Sequence, residues 1–243
     1  MAVKKTLLEI VRLILSDLDS EDVNSISDSV EAQQIADIVE QTFYNHVATE
    51  DIAEHADLIK ITAASDSTTP THFTLEDNTR RIDELWYIHN TDNDYRELDY
   101  RDFRTFLWQT DSIQEDFDTV LVNGTKIRIR NNKSPEFYTS FDNDTIICDS
   151  YDSSVESTLQ ESKVRAWGHT IPVFVQSDAA VPDLIATQFP YLIMESTSTA
   201  FEVLKGSVSQ KMEQGARRTR ARIHNDRHRV PVTNKRPDYG RRR

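Results

Sequence analysis

One cysteine, five glycines and no apolar run of about eighteen residues set the first limits on this 243-residue chain. A lone Cys148 excludes a disulfide framework within one chain and any zinc site built on several thiolates. Gly124, Gly168, Gly206, Gly215 and Gly240 are never closer than nine residues apart. Backbone cradles for phosphate need clustered glycines, because a side chain blocks the approach of amide groups to the anion. Neither a P-loop ATPase nor a Rossmann dehydrogenase is expected. The lack of a long apolar run predicts no bilayer-spanning segment. The opening MAVKKTLLEIVRLILSDLD begins like a signal peptide, with two lysines and apolar residues. Glu9, Arg12 and Asp17 interrupt the apolar run, however, and no small-residue cleavage site follows, so a mature cytosolic start is expected.

Hydrophobic residues make up 37% of the chain, yet its length suffices for one large domain or two small ones with a real core. Charge is abundant and unevenly placed. The net formal charge is −13, from 41 acidic and 28 basic residues. From Lys205 onward there are 13 basic and 3 acidic residues, which leaves 15 basic and 38 acidic before it. The tail HNDRHRVPVTNKRPDYGRRR has few apolar residues and two prolines. Such a segment buries too little surface to offset its ordering and is expected to order only on a partner. It reads either as an arm that docks on a partner or touches nucleic acid, or as a solvated tail that keeps the protein soluble. Thirteen positive charges on an acidic protein favour the arm.

Periodicity supplies the organisation. Thr6 and Glu9 form a candidate capping box, followed by Leu7, Leu8, Val11, Ile14, Leu15 and Leu18 at helical spacing. Asp28 and Glu31 suggest a second box, opening a helix with Ala32, Ile35, Ile38, Val39, Phe43 and Val47 on one face. From about Asp57 to Gln176 the pattern shortens to β segments: DLIKIT, THFTL, ELWYIHN, DTVLV, TKIRIR, EFYTSF, TIICDSY and VRAWGHTIPVFV. Asn123-Gly124, between two alternating runs, predicts a type I′ hairpin, and Asp142-Asn143-Asp144 a second turn. A helix from Tyr100 to Trp108 is expected after an Asp99 cap. Past Pro182, Tyr191, Met194, Phe201 and Leu204 trace one helical stripe. Beyond Gly206, a helix breaker, Val208, Met212, Gly215, Thr219 and Ile223 trace a narrower one.

The expected fold is therefore α+β: an antiparallel helical bundle built from N- and C-terminal helix pairs, with an inserted antiparallel β domain and an extended C-terminal arm. The boundaries are 1–56 and 178–224 for the bundle, 57–177 for the β-rich insertion and 225–243 for the basic arm.

Catalytic and metal signals are weak. Glu76, Asp77, Asp83, Glu84 and Glu97 could each supply a glycosidase carboxylate, and nothing distinguishes one pair from another. Asp92-Asn93-Asp94 begins like a calcium loop, but no glycine follows at the sixth position and no glutamate at the twelfth. His224 and His228 have the spacing of two metal ligands on a helix, yet Arg222, Arg227 and Arg229 surround them and disfavour a cation. Cys148 lies in the apolar stretch TIIC, where a buried inert thiol is expected. No G-x-S-x-G elbow is present. No catalytic residue, metal site or cofactor is expected. The aromatic-rich body is acidic, which disfavours specific nucleic-acid readout while allowing DNA to be surrounded without adhesion.

Three stretches together carry a resemblance. TLLEIVRLILSDLDSEDVNSISDSVEAQQIADIVEQTFYN resembles the N-terminal helical pair of podovirus tail tubular proteins of the A type. NNKSPEFYTSFDNDTIICDSYDSSVESTLQESK resembles a stretch in virion proteins of that group. PDLIATQFPYLIMESTSTAFEVL followed by KMEQGARRTRARIHNDRHR is similar to the family's C-terminal helical pair. The resemblance implies a non-enzymatic head-to-tail adaptor of a short-tailed bacteriophage, made in the host cytoplasm and carried in the neck of the virion. It implies a twelvefold ring of this chain between the portal protein and a tail nozzle protein, with genomic DNA passing through the centre unbound. The C-terminal arm would then dock on the portal through Arg217, Arg218, Arg220, Arg222, Arg227, Arg229, Lys235, Arg236, Arg241, Arg242 and Arg243. Two alternatives stand beside it: a virion-associated cell-wall hydrolase, and a tail-tip or baseplate interaction protein.

Overall fold

A computed structural model describes residues 4–50, 52–63, 69–88, 94–114, 116–131, 133–151 and 164–225. Its fold is mixed α+β, in two compact units. Met1–Glu54 and Pro172–Arg243 make one unit, and His55–Ile171 the other. The described helices are α1 (Leu7–Asp17), α2 (Val30–Thr49), α3 (Phe103–Asp111), α4 (Phe189–Lys205) and α5 (Gln210–Asn225). All but α3 belong to the first unit.

Helix α1 starts where its sequence signals it. Thr6 Oγ1 accepts from the Glu9 amide at 3.3 Å, and Glu9 Oε2 accepts from the Thr6 amide at 3.0 Å. This box satisfies two amide groups that the first helical turn leaves without partners. Leu7, Ile10, Val11, Ile14 and Leu15 are buried along one side. Helix α2 is capped one residue later than expected. Ser29 Oγ accepts from the Ala32 amide at 3.1 Å, while Asp28 turns back to accept from Asn24 and Ser25 at 2.7 and 2.9 Å. Asp28 therefore closes the α1–α2 loop instead of starting the helix.

Helix α4 opens with Pro190 in its first turn, where a missing amide costs nothing, and stops at Gly206 with a left-handed φ of +61°. The expected Tyr191–Met194–Phe201–Leu204 stripe is only partly the inward face. Tyr191 is buried, whereas Met194, Phe201 and Leu204 are half-buried, and the deepest positions include Ser196, Thr197 and Ala200. Small side chains let neighbouring helices approach closely, and α4 touches α1, α2 and α5. A Cβ on Gly215 of α5 would stand 2.8 Å from Met194 Sδ, so this glycine sits at the close approach of α4 and α5.

The last expected strand, VRAWGHTIPVFV, pairs only as far as Thr170. Pro172 has no amide to continue a ladder, and the chain leaves the sheet. The following stretch packs on the helical unit. Phe174 lies 5.1 Å from the Phe43 ring, and its amide donates to Tyr44 Oη at 3.1 Å. Gln176 Nε2 donates to Asp37 at 2.9 Å and also to Glu40. Asp178 accepts from the Ile26 amide at 2.9 Å, and the Ala180 carbonyl accepts from Leu7 at 2.7 Å. Alternating Val173-Phe174-Val175 imitates a strand, but one side buries an aromatic ring against α2 and the other leaves both valines exposed.

The second unit holds twelve strands among the described residues: β1 (Ala56–Ile59), β2 (Ile61–Ala63), β3 (His72–Leu75), β4 (Thr79–Ile88), β5 (Tyr95–Glu97), β6 (Asp99–Tyr100), β7 (Phe117–Val122), β8 (Thr125–Asn131), β9 (Phe137–Ser140), β10 (Thr145–Cys148), β11 (Ser150–Tyr151) and β12 (Val164–Thr170). They form sheets ordered β1-β12-β4-β5, β2-β3-β10-β9-β6 and β11-β8-β7. The insertion is not wholly antiparallel as expected. Strand β6 pairs parallel with β9, and β11 parallel with β8, because the chain travels far enough between partners to return in the same direction. Asp99-Tyr100 is thus strand, and α3 begins later, capped by Asp102, whose carboxylate accepts from Arg104 at 3.2 Å.

Ile59, Ile61, Phe73, Leu85, Tyr87, Tyr138, Ile146 and Ala166 form one apolar core, drawn from the four- and five-stranded sheets. A second core gathers Phe106 of α3 with Val120, Ile127, Ile129, Phe137 and Ile147. Asn123 and Gly124 turn between Val122 and Thr125 with φ of +49° and +78°, as a two-residue I′ hairpin requires. Cys148 is fully buried, and burial pushes its thiol pKa up, so the reactive thiolate is suppressed.

Candidate functional site: the charged flanks of the last helix

Arg217, Arg218, Arg220 and Arg222 all lie on α5, which carries little apolar surface inward. Ala216 is its fully buried residue, with Met212, Gly215, Thr219 and Ile223 half-buried beside it. The four arginines fall into two groups. Arg220 Nε donates to Glu50 Oε1 at 3.0 Å, and His224 Nδ1 lies 3.4 Å from Glu50 Oε2. Arg217 pairs with Glu213 one turn earlier. These contacts use one flank of α5. Arg218 and Arg222 stand on the opposite flank, exposed, with no ion pair among the described residues.

Glu50 is the C-terminal cap residue of α2, and its side chain is 9% exposed. Burial alone would raise its carboxyl pKa. Hydrogen bonds and charge from Arg220 and His224 outweigh that and hold it below the ordinary value. The same contact, chiefly the hydrogen bond to Glu50, raises the Arg220 pKa. Two residues 170 positions apart thus form the polar tie between α5 and α2. No local sequence signal marks Glu50 as the partner.

The remaining expected docking residues, Arg227, Arg229, Lys235, Arg236, Arg241, Arg242 and Arg243, lie outside the described residues, as does His228. One further cation was legible and missed. Lys211 precedes Arg218 and Arg222 by seven and eleven positions, which places the three within about 40° of each other on a helix.

Elsewhere the expected chemistry is dispersed. Asp83, one of the candidate carboxylates, is bonded by Arg81 at 2.7 Å and faces His169 at 3.4 Å. Among the described residues no group of three or more His, Cys, Asp or Glu comes together to hold a metal. A cleft of about 240 Å³ between α2, α4 and α5 is bordered by Gln41, Thr42, Asn45, Tyr191, Glu195 and Arg220. It offers amide and hydroxyl groups around one committed cation. No helix among the described residues is long and apolar enough to cross a membrane. No protein-family model matches the chain, and no curated protein matches it significantly.

Proposed function

We propose that this chain is a structural head-to-tail adaptor of a short-tailed bacteriophage, one subunit of a ring between portal and tail nozzle, without enzymatic activity. In this reading the helices of the first unit act as an antiparallel bundle that builds the ring. The β unit is an insertion on it, and the basic residues beyond α5 reach the portal. The protein is made in the host cytoplasm, is incorporated in the virion neck and binds no cofactor. DNA passes through the ring without specific contact.

The observation that carries this reading is the separation of charge between the body of the chain and its C-terminal end. Before Lys205 the sequence holds 38 acidic and 15 basic residues; from Lys205 it holds 13 basic and 3 acidic. Duplex DNA carries one charge per about 1.7 Å of axis, so an acidic channel wall repels rather than retains it. A cationic end, repeated around a ring, gains affinity for an acidic portal surface through multiplicity. The resemblance of both helical stretches to podovirus tail tubular proteins of the A type supports the same assignment. Within α5, Arg217 and Arg220 are engaged by Glu213 and Glu50, so the portal contact is assigned to the cations from Arg227 onward.

Truncation after Asn225 tests the arm. The shortened chain is expected to stay folded and to lose binding to the portal; unimpaired binding would refute the assignment.

A further inference from the structure

The unpaired flank of α5 has a counterpart of opposite sign in the same unit. From Leu13 to Glu54 the chain holds eleven Asp and Glu and no Lys or Arg. Several of these are committed. Asp37 and Glu40 accept from Gln176, Glu50 holds Arg220, Asp22 pairs with Arg12, and Asp28 closes its loop. Asp17, Asp19 and Glu21 are different. They are exposed, cluster at the end of α1 and in the turn beyond it, and form no ion pair among the described residues.

Their position is electrostatically unfavourable. Asp17 is the last residue of α1, whose final turn has no basic residue, so its carboxylate adds to the negative end of the helix dipole. Asp19 continues the cluster in a left-handed backbone conformation, with φ of +53°. The end of α1 carries a local conflict that charge of the other sign would relieve, and no ion pair relieves it among the described residues.

We infer that the Lys211–Arg218–Arg222 row docks on the Asp17–Asp19–Glu21 corner of a second copy of this chain. Both surfaces are exposed and unpaired among the described residues, and their opposite charge fits one to the other between copies. Because the two surfaces differ, it is head-to-tail: each subunit offers one of each, and repetition closes a ring or extends a filament. The inference rests on the ring reading, to which it adds the subunit interface, and it separates that interface from the portal contact beyond Asn225. Exposed ion pairs are individually weak and are screened by salt, so the contact needs several pairs at once and is sensitive to ionic strength.

Charge reversal on the full-length chain tests it. Native mass spectrometry and analytical ultracentrifugation would follow the wild type, Arg218→Glu/Arg222→Glu and Asp17→Lys/Glu21→Lys, with circular dichroism confirming that each is folded. The wild type is expected to form species larger than a dimer at low salt that disperse at high salt. Each variant alone should need at least about tenfold higher concentration to associate, because its two surfaces now repel. An equimolar mixture should regain association, since each variant's reversed surface matches the other's. The chain truncated after Asn225 should associate like the wild type.

If the variants assemble as readily as the wild type, or the mixture fails to recover, this contact is overturned while a ring through another surface stands. A wild type that stays monomeric at low salt and high concentration overturns the contact, while a ring that assembles only on the portal stands. Loss of association on truncation assigns the interface to the arm and overturns it as well.

Discussion

Helices α1 and α5 belong to the same unit and are held in opposite ways. Helix α1 buries Leu7, Ile10, Val11, Ile14 and Leu15, each at most 1% exposed. Helix α5 buries Ala216 fully, rests Gly215 against Met194, and is tied by Arg220 and His224 to Glu50. Apolar burial involves no charges to screen or titrate. A charged tie responds to salt and to pH. The first helix is therefore a core element, and the last one a surface element with one exposed flank.

This contrast can be broken or sharpened by substitution. The largest effect is expected from Ile14→Ala, which leaves a cavity under α1 and should lower the stability of the helical unit by about 2–5 kcal/mol. Calorimetry or denaturant unfolding checks it, and a cost below 1 kcal/mol would contradict the core role. Next comes Glu50→Gln, which removes the carboxylate from the half-exposed Arg220 guanidinium and should cost about 1 kcal/mol. Its signature is local: amide exchange should accelerate along α5 and stay slow in α1.

The sign of the pH dependence follows from the lowered Glu50 pKa. A carboxyl whose folded pKa is depressed contributes stability above its ordinary value of 4.5, and that contribution fades as pH falls through the lowered one. The exchange difference between wild type and Glu50→Gln should therefore be full at neutral pH and shrink in acid. A smaller effect is expected from salt. At about 0.5 M, where screening acts within a few ångströms, exchange in α5 should quicken while α1 is unchanged. The smallest concerns Gly215→Ala. The obstructing atom, Met194 Sδ, belongs to a flexible side chain, so yielding is cheap and the helix gains up to about 1 kcal/mol. A loss above that amount in thermal unfolding would mean that the α4–α5 contact is tighter than its side chains suggest.

Features fixed by neighbouring residues were legible in the sequence. The Thr6–Glu9 box, the Asn123-Gly124 hairpin and the Gly206 stop each depend on backbone geometry within a few positions, and each is present. The second helix start slipped by one, because Asp28 and Ser29 are both good caps and only the loop decides which faces the helix. The parallel partners of β6 and β11 were not legible, since two-residue strands leave no alternation to read and their partners are remote in sequence. Val173-Phe174-Val175 misled for the opposite reason: its alternation is real, but the buried side meets Phe43 instead of a sheet. For the candidate site, helical spacing was enough to group Lys211 with Arg218 and Arg222. It gave no hint that Arg220 is held by Glu50, a pairing made only by folding.

Cryo-electron microscopy of the virion that carries this chain tests the central proposal most directly. The account predicts a ring of this chain between portal and nozzle, with the cationic segment beyond Asn225 against the portal. Density for the chain at the tail tip, or its absence from the particle, would contradict it.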